Sequence, residues 1–239
     1  MEPNKKLHPL EILPLKKAKK KENQNIPYPL LDTSEGGFVM CLVAPTCSGK
    51  TYVISNLIHN VNFGMKKEFE EIIFISPTLE HDANLKYMKD CEDIVKISDM
   101  DSLENLDAVL NGIIQTQVDK GDDKEPILVI LDDCVQFFNN HSVLNNLPQL
   151  SRHYKISFIV STQSYMALPV RLRKNSSEYL IFRIYNIKDY KAIQEEVGSE
   201  YEDFDKIYNE ATNEKYHFLF LNKRSMCAYK DFTTELWQK

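Results

Sequence analysis

Three short groups of residues in this chain have the types and spacing that phosphate chemistry requires. The first is APTCSGKT, residues 44–51, lying between an apolar run and a stretch of helical spacing. A loop of this form turns backbone N–H groups onto an anion, sends a lysine to the β and γ phosphates and offers a hydroxyl to Mg²⁺. Ala44, Pro45, Thr46, Cys47 and Ser48 would supply the cradle, Gly49 the close approach, Lys50 the charge and Thr51 the metal ligand. The pattern GxxxxGK[ST] asks for glycine where this chain has Ala44. Alanine there costs little in an ordinary backbone region and is strained only at positive φ. A GKT tripeptide alone is weak, and its place between a strand and a helix strengthens it.

The second group is ILVILDDC, an apolar strand ending in Asp132 and Asp133. An acid at such a strand end organises Mg²⁺ in phosphate-loop enzymes. Asp132 is the expected metal-organising acid, and Asp133 is placed to polarise an attacking water. Adjacent carboxylates repel, and a nearby cation relieves the cost. The competing reading is a pair of turn aspartates capping the next helix. The third group is ISFIVSTQ. Where an extra strand lies between the two nucleotide-binding strands, a polar residue at its end senses the γ-phosphate, and Gln163 has that place. Alone it would be loop decoration; after the other two groups, in this order, it becomes a sensor candidate.

Elements with a regular alternation must position these groups. Residues 38–43 form a continuous apolar run, the pattern of a strand buried on both faces of a parallel sheet. Val53, Ile54, Leu57 and Ile58 give 51–60 helical spacing. EIIFISPT is a second buried strand, 82–90 a helix and DIVKIS a short strand. Leu103, Leu106, Val109, Leu110, Ile113 and Ile114 predict one helix over 101–118, capped by Asp101 or Ser102. After the turn GDDKEP come ILVILDD, a helix within 137–150, ISFIVSTQ and YLIFRIY, then helices near 188–196 and 200–211. The sequence closes with two strands around the tight turn Asn222-Lys223-Arg224, a C-terminal β-hairpin. Strands alternating with helices predict an α/β domain with a mainly parallel central sheet flanked by helices. Ligands of such sheets bind at the carboxyl ends of the strands.

At 239 residues and 43% hydrophobic content, the chain suits one large domain with a proper core. No apolar run approaches a membrane span, and no signal peptide is expected. Five cysteines without a CxxC pair read as reduced thiols in an intracellular compartment. The net charge of −6 conceals an asymmetry. Seven lysines against three glutamates give the first 25 residues +4, and five of the ten prolines fall within the first 29. Residues 1–30 therefore read as a flexible basic arm ahead of a domain over 31–239. Such an arm could track phosphates, serve as a nuclear-import address, or be a solvated tail without a partner.

APTCSGKT, ILVILDD and STQ, followed by LPVRLRKN, resemble the poxvirus-type DNA-packaging ATPases of large double-stranded DNA viruses, in the HerA/FtsK-like branch of P-loop motors. The resemblance covers roughly residues 37–185. It implies a RecA-like P-loop NTPase fold, ATP and Mg²⁺ as cofactors, and Thr51 and Asp132 as metal ligands. It also implies a homo-oligomeric ring, pentameric or hexameric, that moves double-stranded DNA into a capsid. Capsid or inner-membrane virion proteins are the further partners it suggests. The host cytoplasm or viral factory is the implied location, with the virion and the nucleus as alternatives. Ring motors complete each site with a neighbour's arginine; Arg171 and Arg173 are the candidates, with Arg152 a third. The same arginines could instead contact DNA or solvate their loop. Two other functions fit the same residues: a helicase or related remodelling ATPase, and a nucleotide-binding assembly scaffold without turnover.

Overall fold

The computed structural model describes residues 36–60, 65–138 and 143–239. The basic arm expected over 1–30 lies outside the described residues. The strands are β1 (Val39–Val43), β2 (Glu71–Ile75), β3 (Ile94–Ile97), β4 (Ile127–Asp132), β5 (Ile156–Thr162), β6 (Glu178–Phe182), β7 (Phe218–Asn222), β8 (Cys227–Lys230) and β9 (Thr234–Gln238). They form one sheet in the order β3-β2-β4-β5-β1-β6-β7-β8-β9. The six strands from β3 to β6 run parallel, and β7, β8 and β9 add an antiparallel flank. This is the expected α/β fold with a mainly parallel sheet.

The helices are α1 (Lys50–His59), α2 (Met65–Glu68), α3 (Lys86–Lys89), α4 (Met100–Glu104), α5 (Leu106–Asp119), α6 (Leu147–Tyr154), α7 (Val170–Asn175), α8 (Ile187–Glu196) and α9 (Phe204–Thr212). Alternation along β1 assigns them to two layers. Phe38, Met40 and Leu42 point into a core with Ile54, Leu57 and Ile58 of α1 and Met88 of α3. Val39, Cys41 and Val43 point the other way, toward Leu106 and Leu110 of α5, Leu147 of α6, Ile193 of α8 and Ile207 of α9. Both faces of the central strands are therefore apolar, which explains their uninterrupted hydrophobic runs.

Several sequence expectations are corrected. The single helix over 101–118 is two, broken at Asn105, whose φ of −104° and ψ of 31° leave the helical region. Its cap is neither Asp101 nor Ser102: the Asp99 carboxylate accepts a 2.8 Å hydrogen bond from the Ser102 amide. The helix expected within 137–150 begins later, at Leu147, and continues to Tyr154. The C-terminal hairpin is a three-stranded antiparallel meander, because β9 pairs with β8 across a register shift at Ala228/Tyr229.

Candidate active site

The site sits where β1, β5 and β4 end side by side. β5 lies between the other two, in register with both: Val43 pairs with Thr162, and Asp132 with Ser161. The Ala44 amide extends the ladder by a 3.0 Å bond to the Thr162 carbonyl. Ala44 is fully buried in the core on the α1 side, outside the left-handed region. The glycine of the usual pattern is therefore not needed here for backbone freedom. Positive φ falls instead on Cys47 (59°) and Gly49 (100°). Ser48 tightens the loop from within, its hydroxyl donating to the Pro45 carbonyl at 2.6 Å. Cys47 is exposed and free.

α1 starts at Lys50 with no side-chain cap and no acidic residue in its first turn. Its first amides have no partner within the helix, and the helix dipole adds partial positive charge there. This is an anion-binding end, with Thr51 in its first turn. The Lys50 ammonium is largely buried, 3.3 Å from Asp132 Oδ1 and in ion-pair contact with Asp133 Oδ2. Asp132 is 1% exposed. Burial pushes its carboxyl above the usual carboxylate range, while Lys50 and the Ser161 hydroxyl pull it back. Asp133 has a φ of 53° and faces the cleft. Gln163 is brought to the loop directly: the Thr46 hydroxyl donates to its Oε1 at 2.9 Å. Phosphate loop, Asp133 and Gln163 thus line one cleft of about 1020 Å³, with Asp132 buried behind Lys50.

Thr51 and Asp132 offer a hydroxyl and one carboxylate. Mg²⁺ is bound through one or two carboxylates plus substrate phosphates, so this hard-oxygen donor set fits it. Such a site does not require a dense cluster of ligands, and none of three or more His, Cys, Asp or Glu occurs among the described residues.

Sequence reasoning missed Ser161. Its hydroxyl donates to Asp132 Oδ1 and accepts from the Asp133 amide at 3.2 Å, orienting both acids at once. A serine two places before Gln163, directly after the apolar run of Phe158, Ile159 and Val160, was the available signal.

The two candidate arginines are engaged differently. Arg171 is exposed on α7. The buried Arg173 guanidinium makes a two-pronged pair with Glu196 (2.8 and 2.9 Å) and stands 5.5 Å from the Tyr165 ring centroid. It joins α7 to α8 inside the fold, whereas the expected finger needs an arginine side chain free to extend from the surface. Arg152 is exposed in the last turn of α6.

The fold, a large and mainly parallel sheet flanked by helices, is one that solved nucleotide-hydrolysing proteins share. Residues 31–202 match the family described as Poxvirus A32 protein, and the chain belongs to that family. No curated protein matches the sequence. Among solved structures, the genome packaging NTPase B204 from Sulfolobus turreted icosahedral virus 2, in complex with ATP-gammaS, is similar with a TM-score of 0.58 at 18% identity. That match covers 81% of this chain and 96% of B204. The pCW3 conjugation coupling protein TcpA gives 0.59 at 13% identity, over 84% of this chain and 62% of TcpA. The Thermomonospora curvata protein EccC gives 0.55 at 13%, over 87% and 38%. At these identities the likeness is one of fold. No described helix is long and apolar enough to cross a membrane.

Proposed function

We propose that this protein is an ATP-hydrolysing motor that translocates double-stranded DNA, packaging a viral genome into a capsid. The observation that carries it is the in-register convergence of Lys50, Asp132, Asp133 and Gln163 at the ends of neighbouring parallel strands. Membership of the Poxvirus A32 protein family and likeness to B204, described as a DNA-packaging ATPase, support the DNA substrate.

In this reading the amides of the phosphate loop and of the α1 N-terminus bind the phosphates, and Lys50 moves from its two aspartates onto the β and γ oxygens. Thr51 and Asp132 would hold Mg²⁺, which neutralises charge developing on the phosphates. Asp133 orients a water for in-line attack on the γ-phosphorus; the bond to the β-phosphate oxygen breaks, releasing ADP. Gln163, hydrogen-bonded to Thr46, reports loss of the γ-phosphate to the turn behind it. Subunits assemble as a homo-oligomeric ring, and Arg171 is the arginine that completes a neighbour's site. The N-terminal lysines and a basic pore lining meet the DNA backbone.

Phosphate release by purified protein, with and without duplex DNA, tests the proposal. Turnover should rise with DNA. Lys50→Ala should lower it about a hundredfold or more, whereas Asp133→Asn should keep ATP bound without hydrolysing it. Asparagine suits the left-handed φ at 133, so that variant should fold normally. Hydrolysis by Asp133→Asn at the parent rate would refute the assignment of the two acids.

A further inference from the structure

We propose that Tyr216 is the stacking platform for the purine ring of the bound nucleotide; this rests on the nucleotide reading of the phosphate loop. Tyr216 lies in the turn between α9 and β7, is 58% exposed, and lines the same cleft as Lys50, Thr51, Asp133 and Gln163. Its φ is 72°, a costly conformation for a bulky residue, and one that persists only where the surroundings over-determine it. They do so here. Asp231, just beyond β8, accepts from the Phe218 amide at 3.3 Å and pairs with His217 Nδ1 at 2.8 Å. Lys230 reaches Glu214 at 3.2 Å. The turn is thereby tied down on both sides of an aromatic side chain that stays exposed.

Strand order gives the direction. β1 has β5 and β4 on one side and β6 and β7 on the other. Lys50 leans toward the acids at the end of β4, so the terminal phosphate belongs on that flank. A nucleotide lying across the loop then carries its nucleoside toward β6 and β7. There, Tyr216 Cδ1 lies 3.4 Å from where a Cβ would stand on Gly49, with Phe182 at 4.0 Å. The Lys215 ammonium stands 4.6 Å from the Tyr216 ring centroid, fixing the ring by a cation–π contact. An exposed, held aromatic ring beside the loop, on the flank away from the acids, suits a flat heterocycle. A bicyclic purine covers more of it than a pyrimidine does.

Calorimetric titration of the full chain with ATP, CTP and inorganic tripolyphosphate separates the base from the phosphates. Wild type should bind ATP about tenfold more tightly than tripolyphosphate, with CTP between them. Tyr216→Ala should lose that tenfold for ATP and keep its affinity for tripolyphosphate; Tyr216→Trp should retain ATP. A thermal melt checks that both variants are folded. Unchanged ATP affinity in Tyr216→Ala overturns the proposal, as does an equal loss for tripolyphosphate, which would mean that the residue shapes the loop. Tyr52 and Tyr87 are exposed along the same cleft; a loss of ATP affinity confined to Tyr52→Ala or Tyr87→Ala also overturns it. Wild type that binds neither ATP nor tripolyphosphate removes the nucleotide reading itself, and this inference with it.

Discussion

Arg171 and Arg173 stand two positions apart in one short helix, which turns their side chains about 200° from each other. One faces solvent; the other is closed into a buried pair with Glu196 that also receives the Tyr165 hydroxyl at 3.1 Å. Removing the guanidinium leaves Glu196 only the more distant, half-exposed Lys174 at 3.7 Å, and Arg173→Ala should destabilise the fold by about 2 kcal/mol. The pH dependence follows from the sign of the shift. Arg173 holds the Glu196 carboxyl below its ordinary value of 4.5. The pair therefore stabilises the fold above that value, and its contribution is lost as pH falls through the lowered folded one. Urea unfolding of wild type and Arg173→Ala should differ at neutral pH and converge on acidification. A gap that persists through the whole acid titration of Glu196 would assign the stabilisation to the packing of the guanidinium on Tyr165.

The element that organises the site is β5, because it pairs with both strands that carry the chemistry. The start of β1 is pressed close beside it: a Cβ on Gly37 would stand 2.0 Å from the Ile156 carbonyl oxygen. Gly37→Ala should therefore cost about 3 kcal/mol, the upper end of ordinary substitutions, read as a lower urea midpoint at unchanged slope. The central strands were legible in the sequence because burial on both faces writes them as apolar runs. Lys50, Asp132, Asp133 and Gln163 were legible because each follows or ends such a run. β9 was not, since its half-exposed Thr234–Gln238 carries no clear pattern. The break at Asn105 was hidden because Leu103, Leu106 and Leu110 keep helical spacing across it. Ser161 and Glu196 escaped notice for a different reason: their roles depend on which strands and helices are neighbours, and chain order does not state that.

At the scale of the whole molecule, the proposed ring makes each site depend on two subunits. An arginine finger is worth about a thousandfold or more in rate. Arg171→Ala should therefore abolish turnover while leaving ATP binding nearly unchanged, and Lys50→Ala should be inactive through its own loop. Mixing the two should restore turnover, since some interfaces then join an intact loop to an intact arginine. A mixture that co-assembles yet stays inactive would place the finger elsewhere, Arg152 first. The sheet order described above also sets where this chain tolerates a change in length. Adding or deleting one residue inside Ile156–Thr162 would turn every later side chain of that strand to the opposite face. Ser161 would leave Asp132 and Gln163 would leave Thr46 in the same stroke. The exposed turn Gly121–Asp123, at the opposite end of the sheet, carries none of these site contacts. Insertions are tolerable there, whereas three adjacent strands must keep a common count.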